Sequence, residues 1–461
     1  MPAPPSPAPA PIPRSAVFVR PDTLGDLVLF APVLRCLRAA WPQARLTVIA
    51  RQAYLNLARL LVPDLTWWGT ETDVFAHGPE EVAEELARLR AQVTELNPDL
   101  VVGACSHRTW LEGAVAAWAP SARHVVLGAA GEDPFYGVRL RRMLGDAADH
   151  AAFSEEAPFA PCLQDWERNY GLAEYLLARP VAHQPPALAV GPEQLRAADE
   201  ILAGLQLEPG RFIVCAAAGF SNVRLKTWPA DRYGAVLGRA QRQHGLGALL
   251  IGETGERTHL EVVRASGAAS AAIWTGGPGD LVLLAALLAR SRLYLGNDTG
   301  AMHLAAALGR PVVAIFGGGT WPRFQPAAAQ AAVLVHPLPC FGCGWDCPFG
   351  DAPCVKAVGV AEAEAALAEA LRRGEEPFYD LRAYHTLPEP MIDLMGRAAA
   401  LARERAADHR LRQAKIDELQ SACDERLALV QRLDADLHRL LREANDREHV
   451  IADLRRQRPA E

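Results

Sequence analysis

The chain has 461 residues, half of them apolar and 22% charged, with a formal net charge of -7. That length and apolar content allow two or three domains with packed cores. The acidic balance offers no global attraction to nucleic acid, and no apolar run approaches the roughly 20 residues of a membrane-spanning helix.

Residues 1–13 hold seven prolines among Ala and Ser, as in an extended, disordered arm, and residues 1–14 are assigned to it. They have neither the charged start nor the apolar run of a signal peptide. Residues 16–20 (AVFVR) then predict a strand, followed by the turn-prone PDTLGD and a helix with Leu27, Leu34 and Leu37 on one side. Further strands are expected at residues 46–50 (LTVIA), 100–103 and 125–128, with a polar helix around residues 80–96. Residues 137–186 read as irregular. The alternation restarts at residues 212–216 (FIVCA), 248–252 (ALLIG), 272–275, 293–296 and 312–316 (VVAIF), with helices between. Strand alternating with helix predicts parallel sheets covered on both faces. Two such series joined near residues 180–190 predict two facing Rossmann-like domains, residues 15–182 and 183–378, with a ligand cleft between them.

After a linker at residues 379–394 the composition turns to Arg, Glu, Asp, Ala and Leu. From Ile416 through Leu419, Cys423, Val430, Leu433, Leu437, Leu440, Ala444 and Ile451 to Leu454, apolar residues recur at alternating spacings of three and four. Arg426 and Arg447 interrupt the series. This is the period of a coiled coil, assigned to residues 395–458, which could serve self-association or a partner. An amphipathic helix folded on the body fits the same pattern.

Three loops carry the chemistry. Gly25 and Asp26 fall at the turn after the first strand, where a carboxylate can take a proton from a hydroxyl. The same Asp could instead cap the following helix. In LYLGNDTGAMHLAAALG, Asp298 or Thr299 can cap a helix. Thr299 and Gly300 put free backbone N–H groups at its positive end, suited to phosphate, and His303 lies one turn on. A buried, structural His303 is the plain alternative. A D-T-G of an aspartic protease needs a second carboxylate loop, and the sequence has no second D-T-G. In AAAGFSNVRLKTWPADRY, Ser221 and Asn222 offer turn and donor groups, and Lys226 could neutralise a departing diphosphate. Glu256, after a Gly-containing turn, could accept from a ribose hydroxyl.

In this order, GDLVLFAPVLRCLRAAWP, KTWP, GETGE and NDTGAMHLAAALGRPVVAIFG resemble glycosyltransferase family 9, the bacterial heptosyltransferases, over residues 17–371. The resemblance implies a GT-B fold and inverting transfer from ADP-heptose or a related nucleotide sugar. The acceptor would be a glycan, a lipopolysaccharide-type glycolipid or a protein. By this likeness Asp26 matches the general base and Lys226 the basic residue at the phosphates. Thr299 and Gly300 match the phosphate-binding helix start, Asp298 the acid near the donor sugar, His303 the motif histidine and Glu256 the ribose-binding acid. Transfer of this kind needs no divalent metal. The loop before Lys226 lacks the family's usual proline-glycine pair, which blurs the roles of Ser221 and Asn222. A cytoplasmic enzyme, peripheral to the inner membrane, is expected. The other readings are a GT-B transferase or epimerase using another nucleotide sugar, and a non-enzymatic coiled-coil scaffold.

Four of the nine cysteines, Cys340, Cys343, Cys347 and Cys354, lie within CFGCGWDCPFGDAPC. Four thiolates so spaced can close a tetrahedral site for structural zinc or iron. Some proteins similar to the family carry iron at such a cluster.

Overall fold

The computed structural model describes residues 11–75, 77–106, 109–128, 153–219, 223–338, 341–345, 347, 349–374 and 376–383, and positions 415, 419, 422, 426 and 432. Residues 1–386 form one compact body and residues 387–461 a second unit.

Within the body, the first sheet consists of β1 (Ser15–Val19), β2 (Arg45–Arg51), β3 (Thr66–Thr70), β4 (Leu100–Gly103), β5 (Arg123–Leu127) and β6 (Glu155–Ala157). Their spatial order is β3-β2-β1-β4-β5-β6, and every pair is parallel. The central strands are buried on both faces, which is why they read as continuous apolar runs without alternation. Helices α1 (Leu24–Ala40), α2 (Leu55–Leu61), α3 (Ala83–Leu96) and α4 (Trp110–Trp118) belong to this half. Leu27, Leu34 and Leu37 of α1 are all buried, as their spacing predicts.

The second sheet contains β7 (Phe212–Ala216), β8 (Gly247–Glu253), β9 (Ala272–Gly276), β10 (Leu293–Asn297), β11 (Val312–Phe316), β12 (Gln330–Val335) and β13 (Phe378–Ala383). Its order is β13-β12-β11-β10-β7-β8-β9, again parallel throughout. The body is thus two parallel-sheet α/β halves, the arrangement of a GT-B-like fold.

Four strands, β3, β6, β12 and β13, fall outside the sequence expectation. β3 (TWWGT) is short and carries a glycine before its last residue, β12 (QAAVLV) opens on Gln and two alanines, and β13 (FYDLRA) is interrupted by Asp380 and Arg382. The described part of residues 137–186 also departs from an irregular reading. It contains β6 and the helices α5 (Asp165–Arg168) and α6 (Tyr170–Leu177). Residues 178–191 then run without regular structure to α7 (Pro192–Gly204), which starts on a proline. The second half continues with α8 (Ala230–His244), α9 (Arg257–Ala265), α10 (Leu281–Ala289) and α11 (Gly300–Ala307).

Most of the expected coiled-coil seam lies outside the described residues. Lys415, Leu419, Ala422, Arg426 and Arg432 are helical and exposed. Among the described residues, no helix is long and apolar enough to cross a membrane.

Candidate active site

In each sheet the strand order reverses beside the first strand of its half, between β1 and β4 and between β7 and β10. Loops leaving such a switch point border the crevice where open α/β sheets take ligands. The loop after β1 leads into α1, and the loop after β10 leads into α11 (Gly300–Ala307). These two helices pack against each other at their N-termini. A methyl group added at Gly25 would lie 2.9 Å from His303 Cδ2, and one added at Gly300 would lie 2.9 Å from Leu24 side-chain atoms. Glycine at both positions is what allows the two helix starts to approach this closely. Asp26 is thereby brought to the same junction as Asp298, Thr299, Gly300 and His303.

Thr23, and not Asp26, is the N-cap of α1; Asp26 is the third helical residue of a capping box. The Thr23 hydroxyl donates to Asp26 Oδ2 at 2.5 Å, and the Thr23 backbone N–H lies 3.3 Å from the same oxygen. Asp26 Oδ1 lies 3.6 Å from Arg20 Nη2. Capping and presentation of a carboxylate at the junction therefore coexist in one residue.

Arg20 is fully buried and was not singled out by the sequence reading. Its guanidinium donates to the carbonyls of Ala104 and Asp26, and its Nε lies 3.1 Å from Asp22 Oδ1. Burial pushes the Asp22 carboxyl well above the usual carboxylate range, against the attraction of Arg20. Nearby Glu112 accepts from the backbone N–H of Cys105 at 3.1 Å and of Thr109 at 2.6 Å. Burial nevertheless raises its pKa to about 7, against those hydrogen bonds.

Thr299 is the N-cap of α11, but its side chain makes no capping hydrogen bond. Thr299 Oγ1 instead meets the Tyr294 hydroxyl at 3.1 Å. Neither Asp298 nor Thr299 caps this helix through its side chain, in contrast to the sequence expectation. His303 is 3% exposed, its Nε2 lies 3.9 Å from Asp298 Oδ1, and its Nδ1 has no partner among the described residues. Burial pushes the imidazole pKa down to about 4. Asp298 opposes this shift and the charge of Lys226 adds to it. His303 is therefore neutral near pH 7.

Lys226 ends a short 3-10 turn after β7. The following Trp228 is anchored by its backbone N–H to Asn297 Oδ1 at 3.0 Å and by its indole N–H to the Val358 carbonyl at 2.8 Å. Glu256 is buried and accepts from the Gly219 N–H at 2.8 Å and the Glu253 N–H at 2.9 Å. It ties the β7 loop, which abuts Thr299, to the end of β8. Ser221 and Asn222 lie outside the described residues.

A second contact spans the two halves. Arg323, in the loop after β11, pairs with Asp165 of α5 through two hydrogen bonds of 2.8 and 2.9 Å. Burial opposes ionisation of Asp165, but the Arg323 guanidinium outweighs it and holds the carboxyl below its usual range. Neither residue stood out in the sequence. They lie 158 positions apart in segments without periodicity, so only the folded chain reveals the pair.

Cys343, Cys347 and Cys354 are in no disulfide among the described residues, and Cys340 lies outside the described residues. Cys354 Sγ accepts from the Gly318 N–H at 3.4 Å. These three are not among the described groups whose donor atoms converge within 4.8 Å.

Residues 155–344 match the family model described as Glycosyltransferase family 9 (heptosyltransferase). Lipooligosaccharide heptosyltransferase 2 of Haemophilus ducreyi is 32% identical over 127 residues, which is 26% of this chain and 35% of that protein. The match thus spans about a third of the length of this curated relative. A family 9 glycosyl transferase from Veillonella parvula superposes with a TM-score of 0.61 at 18% identity, covering 78% of this chain and 97% of the other. The ADP-heptose lps heptosyltransferase II of E. coli gives 0.58 at 18% identity, with 78% and 99% covered. The fold is the one these transferases have. The family model over residues 155–344 matches the same family that the motifs resemble.

Proposed function

We propose that the chain is an inverting glycosyltransferase that moves heptose from ADP-heptose to a lipopolysaccharide-type glycan acceptor. The observation that supports this best is the close approach of the α1 and α11 N-termini. It sets a carboxylate opposite a helix start that no side chain caps. The heptose and ADP assignments rest on likeness to the family and its relatives.

In this reading Asp26 accepts the proton of an acceptor hydroxyl while that oxygen forms its bond to the anomeric carbon. Thr23 and Arg20 steady the carboxylate through Oδ2 and Oδ1 respectively. The bond from the anomeric carbon to the diphosphate oxygen breaks on the opposite side, inverting the centre, and its electron pair leaves on ADP. Lys226 and the backbone N–H groups of Thr299 and Gly300 meet that charge. Asp298 lies beside the donor sugar, and His303, held neutral, orients it. Glu256 contributes to the ribose side, directly or by holding the Gly219 loop, with Ser221 and Asn222 lining the same loop. The cysteine cluster enters none of these steps; a structural zinc or iron is the role its spacing supports. The enzyme would work on the cytoplasmic side, at the inner-membrane surface, with the coiled coil serving assembly or location.

Asp26→Asn tests the mechanism. Donor binding should stay near the wild-type level while transfer falls by roughly 10²-fold or more. Undiminished transfer with intact donor binding would remove Asp26 as the base.

A further inference from the structure

Away from the cleft, three donor groups of different chemistry converge where the two halves of the body are joined. Cys162 precedes α5, Glu167 belongs to α5, and His183 lies in the segment running from α6 to α7. One donor atom from each lies within 4.8 Å of the other two. All three residues are partly buried, so the group is sheltered yet reachable from solvent. Neither the Cys162 thiol nor the Glu167 carboxylate has a side-chain hydrogen bond or ion pair among the described residues.

The third donor is already held in place. The His183 ring stacks on Tyr170 with centroids 4.5 Å apart and planes 9° from parallel. The Tyr170 hydroxyl donates to the Gln184 carbonyl at 3.1 Å and accepts from the Gln184 N–H at 3.0 Å. Glu174 of α6 places Oε1 3.4 Å from His183 Nε2. A carboxylate beside a histidine ring is the partner that metal-ligating histidines commonly use to fix their orientation.

We propose that Cys162, Glu167 and His183 form a binding site for zinc or a divalent ion of similar softness. Thiolate, imidazole and carboxylate together are a zinc-type donor set. Bond lengths of about 2.0–2.3 Å in a tetrahedron place donors roughly 3.5 Å apart. The donors, already within 4.8 Å of one another, would draw in to that spacing around an ion. A water completes the shell. The bound ion fastens the connecting segment to α5 and α6, beside the Asp165–Arg323 contact.

Zinc content and zinc affinity of the full-length protein test this in a Cys343→Ser/Cys347→Ser background, which removes the competing cluster. That background should retain zinc, and Cys162→Ser and His183→Ala should each abolish it. Glu174→Gln should weaken binding roughly 10–100-fold. Circular dichroism identifies any variant that fails to fold, and the near-isosteric Glu167→Gln then gives the deciding measurement. A background protein that binds no zinc, or equal zinc in the folded ligand variants, overturns the site.

Discussion

Gly25→Ala probes the junction between the two halves directly. The added methyl would stand 2.9 Å from His303 Cδ2, where ordinary contact begins near 3.4 Å. At least 0.5 Å of displacement is therefore required, by the difference of those two distances. His303 has little freedom to yield, because it is buried and packs edge-on to Phe324 at a centroid distance of 6.4 Å. Overpacking of this kind costs about 1–3 kcal/mol. Replacing Gly by Ala within a helix returns up to about 1 kcal/mol. The suitable control is Gly204→Ala, also helical, where an added methyl meets nothing within 4 Å. Gly204→Ala should raise stability slightly, so the two variants should differ by about 1–3 kcal/mol. Thermal melts would register that difference as a separation of roughly 2–6 °C. Displacing α1 from α11 should also reduce transfer by up to about 10²-fold, since small misplacements of reacting groups are amplified in rate. If Gly25→Ala melts with Gly204→Ala and keeps full activity, the helix starts do not meet as described.

The low pKa of His303 fixes the sign of a pH effect. The folded value is about 4 against an ordinary 6.5, so as pH falls through 6.5 the unfolded chain binds a proton that the folded chain refuses. Stability should drop by about 2 kcal/mol between pH 7 and pH 5 on this account. His303→Gln should flatten that part of the profile, and equal slopes in the two proteins would show that His303 titrates normally. Arg323→Gln leaves the Asp165 carboxylate buried without its guanidinium and should destabilise the body by about 3–5 kcal/mol in urea unfolding. The double replacement Asp165→Leu/Arg323→Leu should recover most of that loss, and a loss under about 1 kcal/mol for Arg323→Gln would rule out a buried pair.

The two-half α/β architecture was legible because buried parallel strands leave dense apolar runs such as VVAIF and FIVCA. The strands that escaped are those whose burial lacks that signature, such as β3 with its Trp-Trp-Gly and β6 with its Glu-Glu-Ala. The segments GD and DTGAMH that meet at the junction stood out in the sequence because turns and helix starts restrict residue type locally. The N-cap was displaced by one turn, to Thr23, since Thr and Asp three positions apart can exchange the two roles of a capping box. Arg20, Glu112, Asp165 and Arg323 could not be anticipated. A charge at the end of an apolar strand or in a loop reads as solvated until its distant partners are known. The site inferred at Cys162, Glu167 and His183 has the same origin, in donors brought together by a fold and not by a motif.

Donor selectivity bears most directly on the central assignment. Calorimetric titration of the full-length protein with ADP, UDP, GDP and their sugars should show a response to ADP and tighter binding of ADP-heptose. Lys226→Ala should weaken both, while Asp26→Asn should bind as the wild type does. Absence of any response to ADP, with binding of UDP or GDP sugars instead, would contradict the heptosyl assignment.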